Sequence, residues 1–138
     1  MGRVAALDIG TVRIGFAVSD PLRYIATPYP FILAGKTNQE TLSHILKELH
    51  KFSDIDVLVL GFPLLLSGQE GKGAKEVRLL ADLLKSSCSF PIVLWDERLT
   101  TAQVEKSLKE CSVSRKKRTQ IIDSLTAALI LENYLSSL

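Results

Sequence analysis

Four acidic residues stand at positions where a folded chain could bring their carboxylates together. Asp8 ends an apolar run near the N-terminus, and Asp96 and Glu97 follow another apolar run. Asp123 lies within an apolar-rich segment near the C-terminus. Carboxylate oxygens are the ligands that Mg²⁺ and Mn²⁺ prefer, and two such ions about 4 Å apart can support phosphodiester hydrolysis. The candidate catalytic and metal-binding residues are therefore Asp8, Asp96, Glu97 and Asp123.

Each of these acids also has an ordinary structural explanation. An isolated Asp after a strand is most often a turn residue or a helix cap. Asp123, taken alone, would more often be an exposed acid on a helix. Converging carboxylates repel one another unless a cation lies between them. The metal-site interpretation therefore depends on a fold that brings the acids together.

A basic segment separates the Asp96-Glu97 pair from Asp123. Residues 98–118 contain seven basic and two acidic residues, a net charge of +5, so the rest of this chain of net charge +2 carries −3. A positive patch beside a cluster of acids suits a site that binds both a polyanion and a cation. A solvated surface loop is the alternative. The residues predicted to contact nucleic acid are Arg13, Arg98, Arg115, Lys116, Lys117 and Arg118.

The elements that must position these residues begin with three predicted strands. Residues 3–9 form a buried apolar run, and residues 13–19 alternate apolar and small side chains, so a hairpin is expected. A third strand falls within residues 24–33. Pro28 and Pro30 confine it to a sheet edge or make it irregular.

Helical and strand patterns alternate along the rest of the chain. The predicted elements are a helix at 38–52, a strand at 57–60, a helical stripe from Ala74 to Leu84, a strand at 91–95, a helix from Thr100 to about Glu110, a polar and basic loop at 112–118, and a final helix from Ile121 to Leu135 buried through Ile122, Leu125, Leu129 and Leu135. This order predicts an α/β fold with a mixed five-stranded sheet flanked by helices.

The predicted sheet explains how distant acids could meet. If the first strand and the two later ones are parallel, Asp8 and Asp96 share the rim where ligand sites of α/β proteins form. A final helix packed across the sheet could hold Asp123 above that rim, with the small Ala127 one turn later allowing close approach. Adjacent residues at a strand end point to opposite faces, so one of Asp96 and Glu97 should be dispensable. The sequence does not choose between them.

Length and composition narrow the class of protein. A chain of 138 residues with 46% hydrophobic and 23% charged residues fits one domain, 1–138, with a substantial core. The N-terminus has no apolar run long enough for a signal peptide, and no apolar stretch approaches the roughly 20 residues of a membrane helix. Cys88 and Cys111 lack metal-binding spacing and are expected to be reduced thiols. A cytoplasmic protein that does not bind membranes is expected.

Four segments together resemble the YqgF family, also called RuvX, whose members are named as pre-16S rRNA nucleases and Holliday-junction resolvases. The likeness covers nearly the whole chain, and DERLTT together with the Asp-Ser-x-x-Ala-Ala helix is its most specific part. The matching segments are LDIGTVRIGFAVSD (7–20), VLGFPLLLSGQEG (59–71), VLWDERLTT (93–101) and RKKRTQIIDSLTAALILENYL (115–135). One stretch departs from the family pattern: after Pro63, a polar residue and then an acid or Asn usually precede Gly, whereas Leu65, Leu66 and Ser67 stand here.

The resemblance implies an RNase H-like fold and a metal-dependent nuclease that processes the 5′ end of pre-16S rRNA. By the family pattern, Asp8, either Asp96 or Glu97, and Asp123 are the active-site acids, with Mg²⁺ or Mn²⁺ as a two-metal cofactor. Structured RNA is the expected partner, with branched DNA as the alternative. The chain would act as a monomer or a homodimer.

Other functions fit parts of the sequence. Cleavage of four-way DNA would require a two-fold dimer, because two strands are cut symmetrically. An ATP-dependent phosphotransferase of the actin and sugar-kinase type shares the Asp-x-Gly-Thr of residues 8–11, but those enzymes close two such domains around the nucleotide. A non-catalytic RNA-binding module would explain the basic segment and leave the retained acids unexplained.

Overall fold

The computed structural model describes residues 2–63, 67–96 and 115–138, with side chains described from Ser124 onward in the last range. The elements within these ranges are β1 (Arg3–Asp8), β2 (Arg13–Ser19), β3 (Ala26–Leu33), α1 (Asn38–Leu49), β4 (Ile55–Phe62), α2 (Lys72–Ser87), β5 (Ile92–Asp96) and α3 (Arg115–Ser136). The predicted helix from Thr100 to Glu110 falls outside the described residues.

Within these ranges, five strands form one mixed sheet, as the sequence pattern predicts, and their order is β3-β2-β1-β4-β5. β1 pairs antiparallel with β2 and parallel with β4, and β4 pairs parallel with β5. β3 lies at an edge. Because proline has no N–H to donate, Pro28 and Pro30 are tolerated in such a strand and weaken pairing with a further chain.

Alternation along the strands divides the core between two faces. On one face, Leu7, Phe16 and Leu60 pack with the apolar sides of α1 and α2. On the other, Val4, Ala6, Ala17 and Val59 pack against α3. Four of the eight buried residues of this cluster are alanines, which permits the helix to approach the central strands closely. We call the second surface the α3 face.

The start and the buried side of α3 differ from the sequence prediction. Arg115 to Arg118 are helical, so the interpretation of residues 112–118 as a loop is wrong for these four positions. Lys and Arg have high helix propensity, and no Gly or Pro interrupts residues 115–136. Leu125 and Leu129 are only half-buried, whereas Ala127, Ala128, Ile130 and Leu131 form the buried side. The sequence offers two apolar stripes, and the one with small residues permits closer packing.

The remaining sequence predictions concern thiols and membranes. Cys88 is a free, half-buried thiol whose pKa is raised by burial. Cys111 lies outside the described ranges. None of the helices that the structure describes is long and apolar enough to cross a membrane.

Candidate nuclease active site

Asp8 ends β1 and Asp96 ends β5, and both lie on the same rim of the sheet, as predicted. Leu7 pairs with Leu60 and Leu60 pairs with Leu94, so β1, β4 and β5 run side by side in the same direction. Asp8 is half-buried and follows Leu7, while Asp96 is exposed and pairs with Phe62. β1 lies between its antiparallel and its parallel neighbour. The strand order also reverses beside β1, since β2 and β3 lie on one side of it and β4 and β5 on the other. Open α/β sheets bind ligands outside the carboxyl ends of the strands at such a switch point.

Strand alternation separates the two acids between the faces of the sheet. Asp8 follows Val4 and Ala6 at intervals of two, so it belongs to the α3 face. Asp96 follows Leu94 at the same interval, and Leu94 packs on the core beneath α1 and α2. By this alternation the two residues share a rim and belong to opposite faces of the sheet.

The strand neighbours of Asp8 on the α3 face are glycines. Gly15 is its partner on β2. On β4, Gly61 follows Leu60, the partner of Leu7. Neither glycine carries a side chain, so neither adjacent strand presents one beside the Asp8 carboxylate. The turn that follows is tight, since a Cβ at Gly10 would overlap the carbonyl oxygen of Arg13.

A partly buried hydrogen bond anchors the middle of α3 to β3. The Ser124 hydroxyl donates to the carbonyl of Tyr29 on β3. Tyr29 pairs with Phe16, and Phe16 pairs with Leu7, the residue before Asp8. The helix is thus anchored level with the end of β1, two strand spacings or about 10 Å to one side. Residue 123 precedes this anchor and falls on the side of the helix that carries the buried Ala127.

Several predicted site residues lie beyond what the structure describes. Glu97 and Arg98 are outside the described ranges, as are Leu65 and Leu66 of the departing loop. The side chains of Asp123 and of residues 115–118 are likewise outside it, although their backbone is helical. Within the described part of the chain, no three His, Cys, Asp or Glu side chains cluster as a metal site would require.

Phe31, which the sequence did not single out, lies beneath Arg13, which the sequence predicts to contact nucleic acid. The guanidinium of Arg13 on β2 stands 5.5 Å from the ring centroid of Phe31 on β3. The proline-flanked sequence around Phe31 predicted only an irregular edge strand. The contact between Arg13 and Phe31 can be predicted only when the pairing of β3 with β2 is known.

The chain matches the model of a known protein family. A family model described as RuvX: Holliday junction resolvase matches residues 2–137. The chain belongs to the RuvX family. Relatives named "Putative pre-16S rRNA nuclease" include one from Protochlamydia amoebophila, 39% identical over 140 residues and covering 98% of this chain and 93% of the relative. Another, from Bacillus subtilis, is 39% identical over 136 residues, 99% of each chain.

Solved structures extend the comparison to the fold of this RuvX member. RuvC from T. thermophilus, solved in complex with a Holliday junction substrate, aligns with a TM-score of 0.58 at 16% identity, covering 99% of this chain and 95% of that one. The fowlpox virus Holliday junction resolvase aligns with a TM-score of 0.54 at 13% identity over 98% of each chain. At these identities the likeness concerns the fold, which is RNase H-like, as predicted.

Proposed function

We propose that this chain is a metal-dependent nuclease, one domain spanning residues 1–138, that hydrolyses phosphodiester bonds in pre-16S rRNA at its 5′ end. The names of its relatives support the activity and the substrate. It would act in the cytoplasm as a monomer or a homodimer. The observation that carries the proposal is the position of Asp8, at the end of the central strand and on the face covered by α3.

The donor set fits a hard divalent cation. Asp8 offers carboxylate oxygen, with glycines as its strand neighbours. Asp123 precedes by one helical turn Ala127, which is buried against the same face of the sheet. Carboxylates from a strand end and a facing helix are suitable ligands for Mg²⁺ or Mn²⁺. Asp8 and Asp123 would therefore hold the metal from two sides.

We assign the third ligand to Glu97 and not to Asp96. Asp96 belongs to the face covered by α1 and α2, away from Asp8. Residues alternate along a strand with a period of two, so the next residue, Glu97, is the acid of this pair that would share the face of Asp8. The longer Glu side chain would also reach further from β5 toward β1, which lies two strands away.

Each residue of the site then has a role in cleavage. When bound, the metal pair supplies an activated water and neutralises charge at the leaving oxygen. Asp8, Glu97 and Asp123 would fix the position of that charge relative to the sheet. Arg13, Arg98 and the basic turn at residues 115–118 would hold the phosphate backbone, which fixes register without reading sequence.

The proposal is tested by incubating the purified chain with Mg²⁺ or Mn²⁺ and two labelled substrates, a precursor 16S rRNA leader and a four-way DNA junction. Faster cleavage of the RNA supports the proposed substrate. Faster, symmetric cleavage of the junction supports the second candidate, which the description of the RuvX family model favours. Binding of RNA without cleavage in either metal would favour a non-catalytic module.

The basic turn at residues 115–118 should contribute the salt-dependent part of the affinity for RNA. Four cationic residues and no acid lie in the first turn of α3, where the helix dipole is also positive. A bound phosphate backbone offsets both the charge of the basic residues and the positive end of the helix dipole. Replacing Arg115, Lys116, Lys117 and Arg118 together by Gln should weaken binding to all RNA sequences and flatten the salt dependence. The turnover rate at saturating substrate should stay within about threefold, because no metal ligand is changed.

Because residues 115–118 form a helical turn, the four basic residues should contribute unequally to phosphate binding. At 100° per residue, positions 116 and 117 fall on the side of α3 that carries Asp123 and Ser124, whereas 115 and 118 fall away from it. Replacing Lys116 and Lys117 by Gln should lower the log–log salt slope by about 1.5, at roughly 0.7 to 0.9 per phosphate contact. The Arg115 and Arg118 pair is the matched control and should change the slope less. Equal slopes in both variants and in the parent chain would contradict this assignment.

A further inference from the structure

The end of the β2–β3 hairpin nearest Asp8 combines a cation with exposed apolar surface. The guanidinium of Arg13 lies over the half-buried ring of Phe31, 5.5 Å from its centroid. Val12 and Leu33 beside them are 63% and 57% exposed. We refer to Val12, Arg13, Phe31 and Leu33 as the hairpin-end patch. In the part of the chain that the structure describes, no carboxylate forms an ion pair with Arg13.

An irregularity in β3 turns Phe31 toward the face of Asp8. Ile14 pairs with Ile32 and Phe16 pairs with Tyr29, so β3 has one more residue than β2 over this stretch. Ile32 and Tyr29 both pack on the core beneath α1 and α2, although they are three residues apart. The extra residue therefore leaves Phe31 on the α3 face. Bulges of this kind redirect side chains and are frequent beside active sites.

The patch lies close to the proposed metal site. Asp8 pairs with Gly15, and Arg13 is two residues further along the same strand and on the same face. Two residues of an antiparallel strand span about 7 Å, whereas one base step rises about 3.4 Å in a stacked duplex and is longer in an unstacked strand. A group bound on the patch would therefore belong to a nucleotide one or two positions from the phosphate at Asp8.

The backbone around the patch is fixed before any ligand binds. The amide of Ala34 donates to the carbonyl of Val12 at 2.9 Å, which ties the two strands together beyond Arg13. The imidazole Nδ1 of His44 on α1 lies 2.7 Å from the carbonyl of Leu33. A surface held in this way loses little conformational entropy when it binds a ligand.

From these contacts we propose that the hairpin-end patch binds an unpaired nucleobase next to the cleaved phosphate. An aromatic ring and a planar guanidinium are the groups on which single-stranded bases stack, whereas bases within a duplex are stacked on one another and are not available. The guanidinium of Arg13, which has no acidic partner among the described residues, would contact the adjoining phosphate. The inference rests on the proposed nuclease function and narrows its substrate to nucleic acid that is single-stranded beside the cut.

The test measures binding without cleavage, by fluorescence anisotropy in metal-free buffer. The probes are a labelled RNA hairpin with a single-stranded tail and the same hairpin without it. Phe31→Leu keeps apolar bulk and removes the aromatic ring, and it should weaken binding to the tailed RNA about tenfold while leaving the blunt hairpin unchanged. Phe31→Tyr should bind like the parent chain. The matched control is Tyr24→Ala, which removes an aromatic side chain that is 82% exposed at the other end of the hairpin.

An abasic tail separates base stacking from a structural effect of the substitution. A single abasic nucleotide at the contacted position should cost the parent chain about the same tenfold, and Phe31→Leu should then cost nothing more. Equal losses on tailed and blunt RNA, or no loss on either, would overturn the inference. Failure of the nuclease function would appear differently, as binding that still depends on Phe31 in a chain that does not cut RNA in Mg²⁺ or Mn²⁺.

Discussion

Replacing Asp8 by Asn should abolish RNA cleavage while leaving the fold intact. The amide keeps the shape of the carboxylate and removes the charge that binds the metal. Metal stabilisation of the transition state is worth several kcal/mol, and each 1.36 kcal/mol is a factor of ten in rate, so we expect a loss of about a thousandfold or more. Initial rates in Mg²⁺ and in Mn²⁺ measure this loss.

Two further measurements distinguish a catalytic from a structural effect at Asp8. Far-ultraviolet circular dichroism should show no fall in the unfolding midpoint of Asp8→Asn, because a like charge is removed from a cluster of acids. The control is Asp82→Asn, an exposed acid on α2 that should leave the rate unchanged. Cleavage by Asp8→Asn at the rate of the parent chain would refute the assignment of the site.

The adjacent acids Asp96 and Glu97 should respond differently to the same neutralisation. Glu97→Gln should lower the cleavage rate by about a thousandfold, because it removes a proposed ligand. Asp96→Asn should stay within about threefold of the parent chain, because Asp96 lies on the opposite face of the sheet from Asp8. The two variants carry the same change of charge one residue apart, so each controls for the other.

The outcome also tests the assumption that strand alternation continues past β5. A large loss in Asp96→Asn with an active Glu97→Gln would mean that the chain turns at Asp96 and carries its carboxylate to the α3 face. Equal and large losses would mean that both acids contribute. Mn²⁺ affinity, measured by calorimetry on both variants, would then separate ligands from residues that bind only the substrate.

The sheet was predictable because its signals are local. Period-two alternation at residues 13–19 and short apolar runs at residues 57–60 and 91–95 identify strands, and Pro28 and Pro30 restrict β3 to an edge. With the strands known, the rim that carries Asp8 and Asp96 follows from their parallel direction. Opposite faces for these two acids follow only once the core cluster on each face of the sheet is known.

The start of α3 and its buried side were harder to predict because they depend on packing. Four consecutive basic residues suggest a loop, although each favours a helix when nothing interrupts it. The choice between the stripe of Leu125 and Leu129 and the stripe of Ala127 and Ile130 is made by the close approach of the helix to Val4 and Ala6. The contact between Arg13 and Phe31 depends on one extra residue in β3, which no local pattern indicates.

The most direct test of the proposed metal site is a crystal structure of the chain with Mn²⁺ and data collected for anomalous scattering. We predict one or two peaks on the α3 face of the sheet, with an oxygen of Asp8 about 2.1 Å from the nearer ion and, if two bind, about 4 Å between them. Asp123 should complete the site from the helix, and Asp96 should make no contact. Mn²⁺ bound elsewhere, with the Asp8 carboxylate free of metal at saturating concentration, would contradict the proposed nuclease site.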